Sequence, residues 1–98
     1  MPSAPSGRRI VRAVIIGTVQ GVWFRAWTMQ EASARNLDGW VRNRRDGSVE
    51  AVFAGPADIV DDMLKACHRG PEAARVANIA VTEEREAPQP GFRKLPTA

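Results

Sequence analysis

Four segments of the chain carry the apolar, β-branched pattern that is typical of strands. They are residues 10–19, 40–43, 48–54 and 75–83. Arg45-Asp46-Gly47 separates the second from the third, and Asp-Gly between two such runs is a strong hairpin signal. In the last segment, alternation places Ala77, Ile79 and Val81 on one face. We predict four strands, with a short additional strand around Phe92.

Two further segments carry apolar residues at helical spacing. The first is 24–36, which is rich in helix formers, and its core face is predicted to hold Phe24, Trp27 or Thr28, and Ala32. Leu37 follows this helix, and Asp38-Gly39 is predicted to turn the chain.

The second helix is predicted between two Gly-Pro pairs. Gly55-Pro56 opens it, with the proline in the first helical turn, and Gly70-Pro71 ends it. Its apolar stripe consists of Ile59, Val60, Met63, Leu64 and Cys67.

The predicted elements follow in the order β-α-β-β-α-β. With both helices on one face of an antiparallel sheet, this order forms the ferredoxin-like α/β sandwich, an α+β fold. Residues 1–7 are rich in Pro, Ser and Gly and are predicted to be a flexible leader, so that the domain spans residues 8–98. This fold hosts RNA binders, metal carriers, regulatory domains and enzymes, so it does not give the function.

Charge and cysteine content narrow the possibilities. The net charge of +3 and the pI near 10.0 suit an anionic partner, although a surface excess of arginine would look the same. Cys67 is the only cysteine, so no intrachain disulfide can form, and a cytoplasmic location is predicted. We see no signal peptide and no apolar run long enough for a membrane, so no membrane association is expected.

The segment 18–25 joins the first predicted strand to the first helix. The amides at a helix N-terminus lack intrahelical partners and form a ready anion site. Gly21 allows a left-handed backbone that can approach a ligand closely. Arg25 opposes the helix dipole, which is easier to explain if an anion lies between its guanidinium and the loop. The alternative is a solvated arginine beside an ordinary strand-to-helix turn.

Asn43 is the second candidate. Because side chains alternate along a strand, Asn43 shares a face with Val41, and that face is directed to the helices if Val41 is buried. An amide both donates and accepts hydrogen bonds, so it can orient a water molecule. The alternative is an asparagine that only satisfies the backbone of the following turn.

Taken together, these segments closely resemble the acylphosphatase family. The matching motifs are Gln20-Gly21-Val22-x-Phe24-Arg25, Gly39-Trp40-Val41-Arg42-Asn43 and Asp46-Gly47-x-Val49-Glu50. The resemblance implies a ferredoxin-like enzyme that hydrolyses acyl phosphates to a carboxylate and phosphate, with no metal, no cofactor and no covalent intermediate. It also implies that Gln20, Gly21, Val22, Trp23, Phe24 and Arg25 form a phosphate-binding loop, with Arg25 holding the phosphate and Asn43 placing the attacking water. Phosphate is then product and expected inhibitor, and a lone domain of this kind is expected to be a monomer.

Trp23 departs from the family pattern, which has smaller or more varied residues at this position. The interpretation favoured from the sequence is that Trp23 packs against the helix. The alternative is that it lines the mouth of the site and restricts the acyl group. Trp27 and Trp40 are predicted to lie in the core.

Other polar residues are assigned simpler roles. Cys67 and His68 are neighbours on a helix and do not share a face, so no metal site is predicted. Asp38 and Asp46 could be general bases, but turn roles explain both more simply. Arg42, Arg44 and Arg45 either draw in the anionic substrate or form a solvated hairpin.

Two rival functions remain. An RNA-recognition domain has the same element order but stacks bases on aromatic residues of its third strand, whereas residues 48–53 carry one aromatic residue and an acid. We therefore predict no nucleic-acid partner. The other rival is a regulatory domain that binds phosphate through Arg25 without turnover.

Overall fold

The computed structural model describes residues 7–98, and the predicted leader lies outside this range apart from Gly7. The elements are β1 (Arg8–Thr18), α1 (Phe24–Ala34), β2 (Asp38–Asn43), β3 (Val49–Pro56), α2 (Ala57–Arg69), β4 (Arg75–Glu83) and β5 (Phe92–Lys94). The predicted order is confirmed, with β5 as the additional strand. Within residues 7–98, neither helix has the length and apolar character needed to cross a membrane.

The five strands form one sheet in the order β4-β1-β3-β2-β5. The first four strands pair antiparallel, as predicted, but β5 pairs parallel to β2. The chain that follows β4 reverses and crosses to the opposite edge of the sheet. For this reason β5 runs opposite to β4 and in the direction of β2. The antiparallel pairing predicted for the four main strands is confirmed, and β5, for which no partner was predicted, adds a parallel edge.

The core lies between the sheet and the two helices. α1 contacts mainly β2 and β5, and α2 contacts β1, β3 and β4. The largest fully buried side chains include Phe24, Phe53, Ile15, Leu37 and Met63. Thr28 rather than Trp27 completes the buried face of α1, since Trp27 is half-buried and meets the Phe24 ring edge-on at 5.4 Å between centroids.

The predicted stripe of α2 is confirmed. Val60, Met63 and Cys67 are fully buried, while Ile59 and Leu64 are partly buried against the core. Burial raises the pKa of the Cys67 thiol to about 12, because the thiolate would lose its hydration there. Pro56 lies just before the helix, as the last residue of β3, rather than inside the first helical turn.

The predicted turn at Asp38-Gly39 is wrong. Asn36 turns the chain instead, with a φ of 57°, and the N–H groups of Asn36 and Leu37 bond back to the carbonyls of Ser33 and Ala32. Gly39 belongs to β2, where a Cβ atom would lie 1.8 Å from the carbonyl oxygen of Val52. The glycine is needed for close approach of two strands, not for a turn.

A β-bulge in the pairing of β1 with β4 changes one predicted face. Val76 pairs with Gly17 and Asn78 with Ile16, so Ala77 is the extra residue. The bulge leaves Val76 and Ile79 packed against the core and Ala77 exposed. The prediction that Ala77 shares a face with Ile79 is therefore wrong.

Trp40 does not lie in the core. It is half-buried on the sheet face away from the helices, where the guanidinium carbons of Arg42 and Arg12 lie 4.7 Å and 5.7 Å from the centroid of its ring system. Arg42 Nε donates to Glu50 at 2.8 Å, and Arg12 also pairs with Glu50. Burial raises the pKa of Glu50, but Arg42 and Arg12 outweigh this and hold it below its ordinary value. We call Arg12, Trp40, Arg42 and Glu50 the arginine–tryptophan cluster.

Candidate active site

The loop between β1 and α1 contains two left-handed residues, Gly21 with a φ of 73° and Trp23 with a φ of 69°. The carbonyl of Trp23 accepts the first helical hydrogen bond, from the N–H of Trp27 at 2.9 Å. Trp23 makes no side-chain cap and the first turn of α1 holds no acidic residue. No side-chain cap occupies the amides at this end of α1, so they can donate to an external acceptor.

A cavity of about 310 Å³ opens at this end of α1. Its lining residues are Val19, Gly21, Trp23, Phe24, Arg25, Ala26, Asn43 and Lys94. The structure thus brings together the two predicted catalytic residues, Arg25 from the helix and Asn43 from the sheet. Four of the six predicted loop residues also line the cavity.

Asn43 is the last residue of β2 and pairs with Val49 of β3. Val41 is fully buried, so Asn43, two residues further along, lies on the helix side as predicted. The following turn is satisfied by Asp46, whose carboxylate accepts the N–H and the hydroxyl of Ser48 at 2.9 Å and 2.6 Å. These hydrogen bonds hold the pKa of Asp46 below its ordinary value. The amide of Asn43 is thus not needed for the turn.

Two cations line the cavity, Arg25 and Lys94. Neither takes part in an ion pair among residues 7–98, in contrast to Arg9, Arg12 and Arg35. Lys94 was not predicted as a site residue, because the sequence indicated no pairing partner for the strand around Phe92. Pairing of Lys94 with Val41 puts it on the helix side of the sheet, close to Asn43.

Gln20 and Val22 do not line the cavity. The side-chain amide of Gln20 instead donates to the carbonyls of Arg44 and Ser48. Val22 is partly buried against the core. Their assignment to phosphate binding stays a prediction that concerns their backbone alone.

Trp23 is placed differently from the favoured expectation. Its side chain is 81% exposed and lines the cavity, so the prediction that it packs against the helix is wrong. The left-handed backbone at Trp23 belongs to the tight turn that begins α1.

The remaining polar candidates lie outside the cavity. Asp38 accepts a hydrogen bond from the N–H of Gly91 at 2.8 Å, and Asp46 caps its own turn. Arg42 belongs to the arginine–tryptophan cluster, and Arg44 lies 3.9 Å from the carboxylate of Asp46. In the part of the chain that the structure describes, His, Cys, Asp and Glu form no group of three or more that could hold a metal ion.

The sequence model of the acylphosphatase family matches residues 11–94, a range that contains every residue lining the cavity. The chain belongs to the acylphosphatase family. An acylphosphatase from Rhizorhabdus wittichii is 52% identical over 98 residues, which cover 99% of both chains.

Solved structures of acylphosphatases agree with the fold. The enzyme from Coxiella burnetii superimposes with a TM-score of 0.86 at 31% identity, over 90% of this chain and 93% of its own. The enzyme from Bacillus subtilis gives 0.84 at 37% identity, over 88% of this chain and 97% of its own. The resemblance, the enzyme class and the ferredoxin-like fold predicted from the sequence are therefore confirmed.

Proposed function

We propose that this acylphosphatase hydrolyses acyl phosphates to a carboxylate and inorganic phosphate, without a metal ion or a covalent intermediate. Arg25 and the backbone amides of the loop bind the phosphoryl group, and Asn43 places the attacking water. The observation that supports this proposal is a single cavity lined by Arg25, which has no acidic partner among residues 7–98, by the N-terminus of α1, which has no side-chain cap, and by Asn43 on the facing strand.

The chemistry needs little more than these groups. Phosphoryl transfer is catalysed mainly by positioning and by stabilisation of charge on the equatorial oxygens. The guanidinium fork of Arg25 and fixed amide donors provide that stabilisation. A carboxylate leaves readily, so a strong general acid is not required. A water held by Asn43 against phosphorus removes much of the entropic barrier to attack.

The first experiment is hydrolysis of benzoyl phosphate in the presence of EDTA. We expect the wild-type chain to turn over and Arg25→Ala to lose about 10³-fold or more in kcat/KM, since it removes the charged donor. Arg69→Ala, at the exposed end of α2, is the matched control and should retain the wild-type rate. A folded wild-type chain that binds phosphate but hydrolyses nothing would support the regulatory alternative instead.

Asn43→Ala separates positioning from binding. We expect kcat to fall by about 10²-fold, because the water is no longer held, while the inhibition constant of phosphate changes less than about threefold. Asn78→Ala, an exposed asparagine on β4, is the control. Full turnover by Asn43→Ala would remove the water-positioning role.

Three further properties belong to the same proposal. Phosphate inhibits as a product that fits the same loop, the enzyme is a cytoplasmic monomer, and no nucleic acid binds. The base-stacking face of RNA-recognition domains corresponds to the side away from the helices. In this chain Arg12 and Arg42 cover the ring of Trp40 on that side.

A further inference from the structure

The side chain of Gln20 connects the loop that precedes α1 to the turn between β2 and β3. Its Nε2 donates to the carbonyl oxygen of Arg44 at 2.7 Å and to that of Ser48 at 2.8 Å. Both N–H groups of the amide are used in this way. Since both partners are acceptors, only the nitrogen end of the glutamine can serve here.

This pair of hydrogen bonds is not needed to close the β2–β3 turn. The N–H of Arg44 already bonds to the carbonyl of Ser48 at 2.9 Å, and the N–H of Gly47 to the carbonyl of Arg44 at 3.1 Å. What Gln20 adds is a link between this turn and the loop that precedes α1.

The link is short at both ends. Gln20 directly precedes Gly21, which lines the cavity, and Arg44 directly follows Asn43. One hydrogen bond therefore separates the loop that faces the phosphoryl group from the strand end that carries the water-positioning amide. Gln20 does not line the cavity, and both N–H groups of its side-chain amide are used in the turn, so the role inferred here for its side chain is separate from any contact of its backbone with phosphate.

We propose that Gln20 is a positioning residue that holds the phosphate-binding loop at a fixed distance from Asn43. The inference rests on the proposed function, because it concerns the alignment of water and phosphorus. A misplacement of about 1 Å can lower a rate by about 10²-fold, so a bond that sets this distance acts on turnover. The phosphate site itself, built from Arg25 and the helix N-terminus, stays intact without it.

The test is a double-mutant cycle on benzoyl phosphate hydrolysis with wild type, Gln20→Ala, Asn43→Ala and the double variant. We expect Gln20→Ala to lower kcat by about 10- to 100-fold and to change the inhibition constant of phosphate less than about threefold. In the Asn43→Ala background, the effect of Gln20→Ala should shrink to less than about threefold, because no held water remains to be aligned.

Three results would overturn the proposal while leaving the proposed function standing. They are an equal loss in both backgrounds, an unchanged kcat in Gln20→Ala, and a loss of phosphate affinity that accounts for the lower rate. An inactive wild-type chain would reject the proposed function and this inference with it, and the wild-type measurement alone identifies that case.

Two variants guard against a trivial loss of folding. Gln20→Met keeps the length of the side chain and removes both donors, so it should reproduce Gln20→Ala. Gln20→Glu should be at least as slow, because a carboxylate would face two carbonyl oxygens. Gln30→Ala, on the exposed surface of α1, is the matched control and should have the wild-type kcat. Urea unfolding of each variant confirms that the assayed protein is folded.

Discussion

Arginine side chains lie on both sides of the sheet, but their partners differ. Away from the helices, Arg12 and Arg42 bind the carboxylate of Glu50 and stack on Trp40. On the helix side, Arg25 lines a cavity, and among residues 7–98 it has no acidic partner. A guanidinium that is bound to a carboxylate adds to stability, whereas one without a partner remains available to an anionic ligand.

The surroundings of the two groups of charges reinforce this contrast. Glu50 is nearly buried, and two cations neutralise it. The first turn of α1 has no acidic residue, and Lys94 adds a second positive charge at the cavity. The net charge of +3 predicted only an anionic partner in general. The absence of an acidic residue from the first turn of α1 supports the proposal that such a partner binds at this cavity.

The largest expected difference is between Arg25→Ala and Arg42→Ala. Arg25→Ala should remove activity and leave the free energy of unfolding unchanged or raised by about 0.3 kcal/mol, since the cation opposes the helix dipole. Arg42→Ala should lower that free energy by about 1–2 kcal/mol and keep kcat within about threefold. Urea unfolding and benzoyl phosphate hydrolysis measure both. Loss of activity without loss of stability in Arg42→Ala would contradict the assignment of Arg42 to stability and of Arg25 to ligand binding.

The second test concerns the pH dependence of stability. The pKa of Glu50 is lowered by folding, so its contribution is complete above the ordinary value of 4.5 and is lost as the pH falls through the folded value. Glu50→Gln should unfold with about 2 kcal/mol less free energy at pH 7, and the deficit should shrink on acidification below pH 4.5. Urea titrations from pH 7 to pH 3 give the free energy of unfolding of wild type and of Glu50→Gln at each pH. The contributions of the other carboxylates cancel in the difference between the two proteins. A constant deficit would contradict an ionised Glu50.

The third test concerns the positive charge of Lys94 at the cavity. Lys94→Ala should raise the KM for benzoyl phosphate by about three- to tenfold with little change in kcat, because it removes charge that attracts the substrate but is exposed to solvent. Arg93→Ala is the control, since its guanidinium is bound to Gln89 and to the carbonyl of Pro90. An equal KM increase in both variants would indicate a general field effect.

Trp23→Gly carries the smallest expected effect. Glycine adopts the left-handed φ of 69° without strain, so the free energy of unfolding should rise by about 0.5 kcal/mol. The exposed ring at the cavity is lost as well, and the preference for benzoyl over acetyl phosphate should fall by a few-fold. Paired kcat/KM values and urea unfolding measure these changes. Trp40→Leu, on the other side of the sheet, should leave the preference unaltered.

The parts of the site that follow local rules were predictable from the sequence. The left-handed φ of Gly21 and the shared face of Val41 and Asn43 depend only on backbone freedom and on the strand period of two. The apolar stripe of α2 likewise follows from helical spacing.

The errors and omissions depend on contacts between distant segments. Gly39 is explained only by the carbonyl of Val52, and Lys94 only by the parallel pairing of β5 with β2. Trp40 was predicted in the core, but it lies on the sheet face away from the helices, where two arginines lie against its ring. The motif assigned Gln20 to the phosphate-binding loop, but it gave no sign that the side chain of Gln20 bonds to the β2–β3 turn.

The buried thiol of Cys67 is an intrinsic probe for local unfolding of α2. With a pKa near 12 and no exposed surface, the thiol reacts with an alkylating reagent only after α2 separates from the sheet. The rate of labelling in native buffer therefore records the rate or the free energy of that opening, according to the reagent concentration. Because Cys67 lies outside the cavity, the same labelling measurement can be made on every active-site variant without altering the active site.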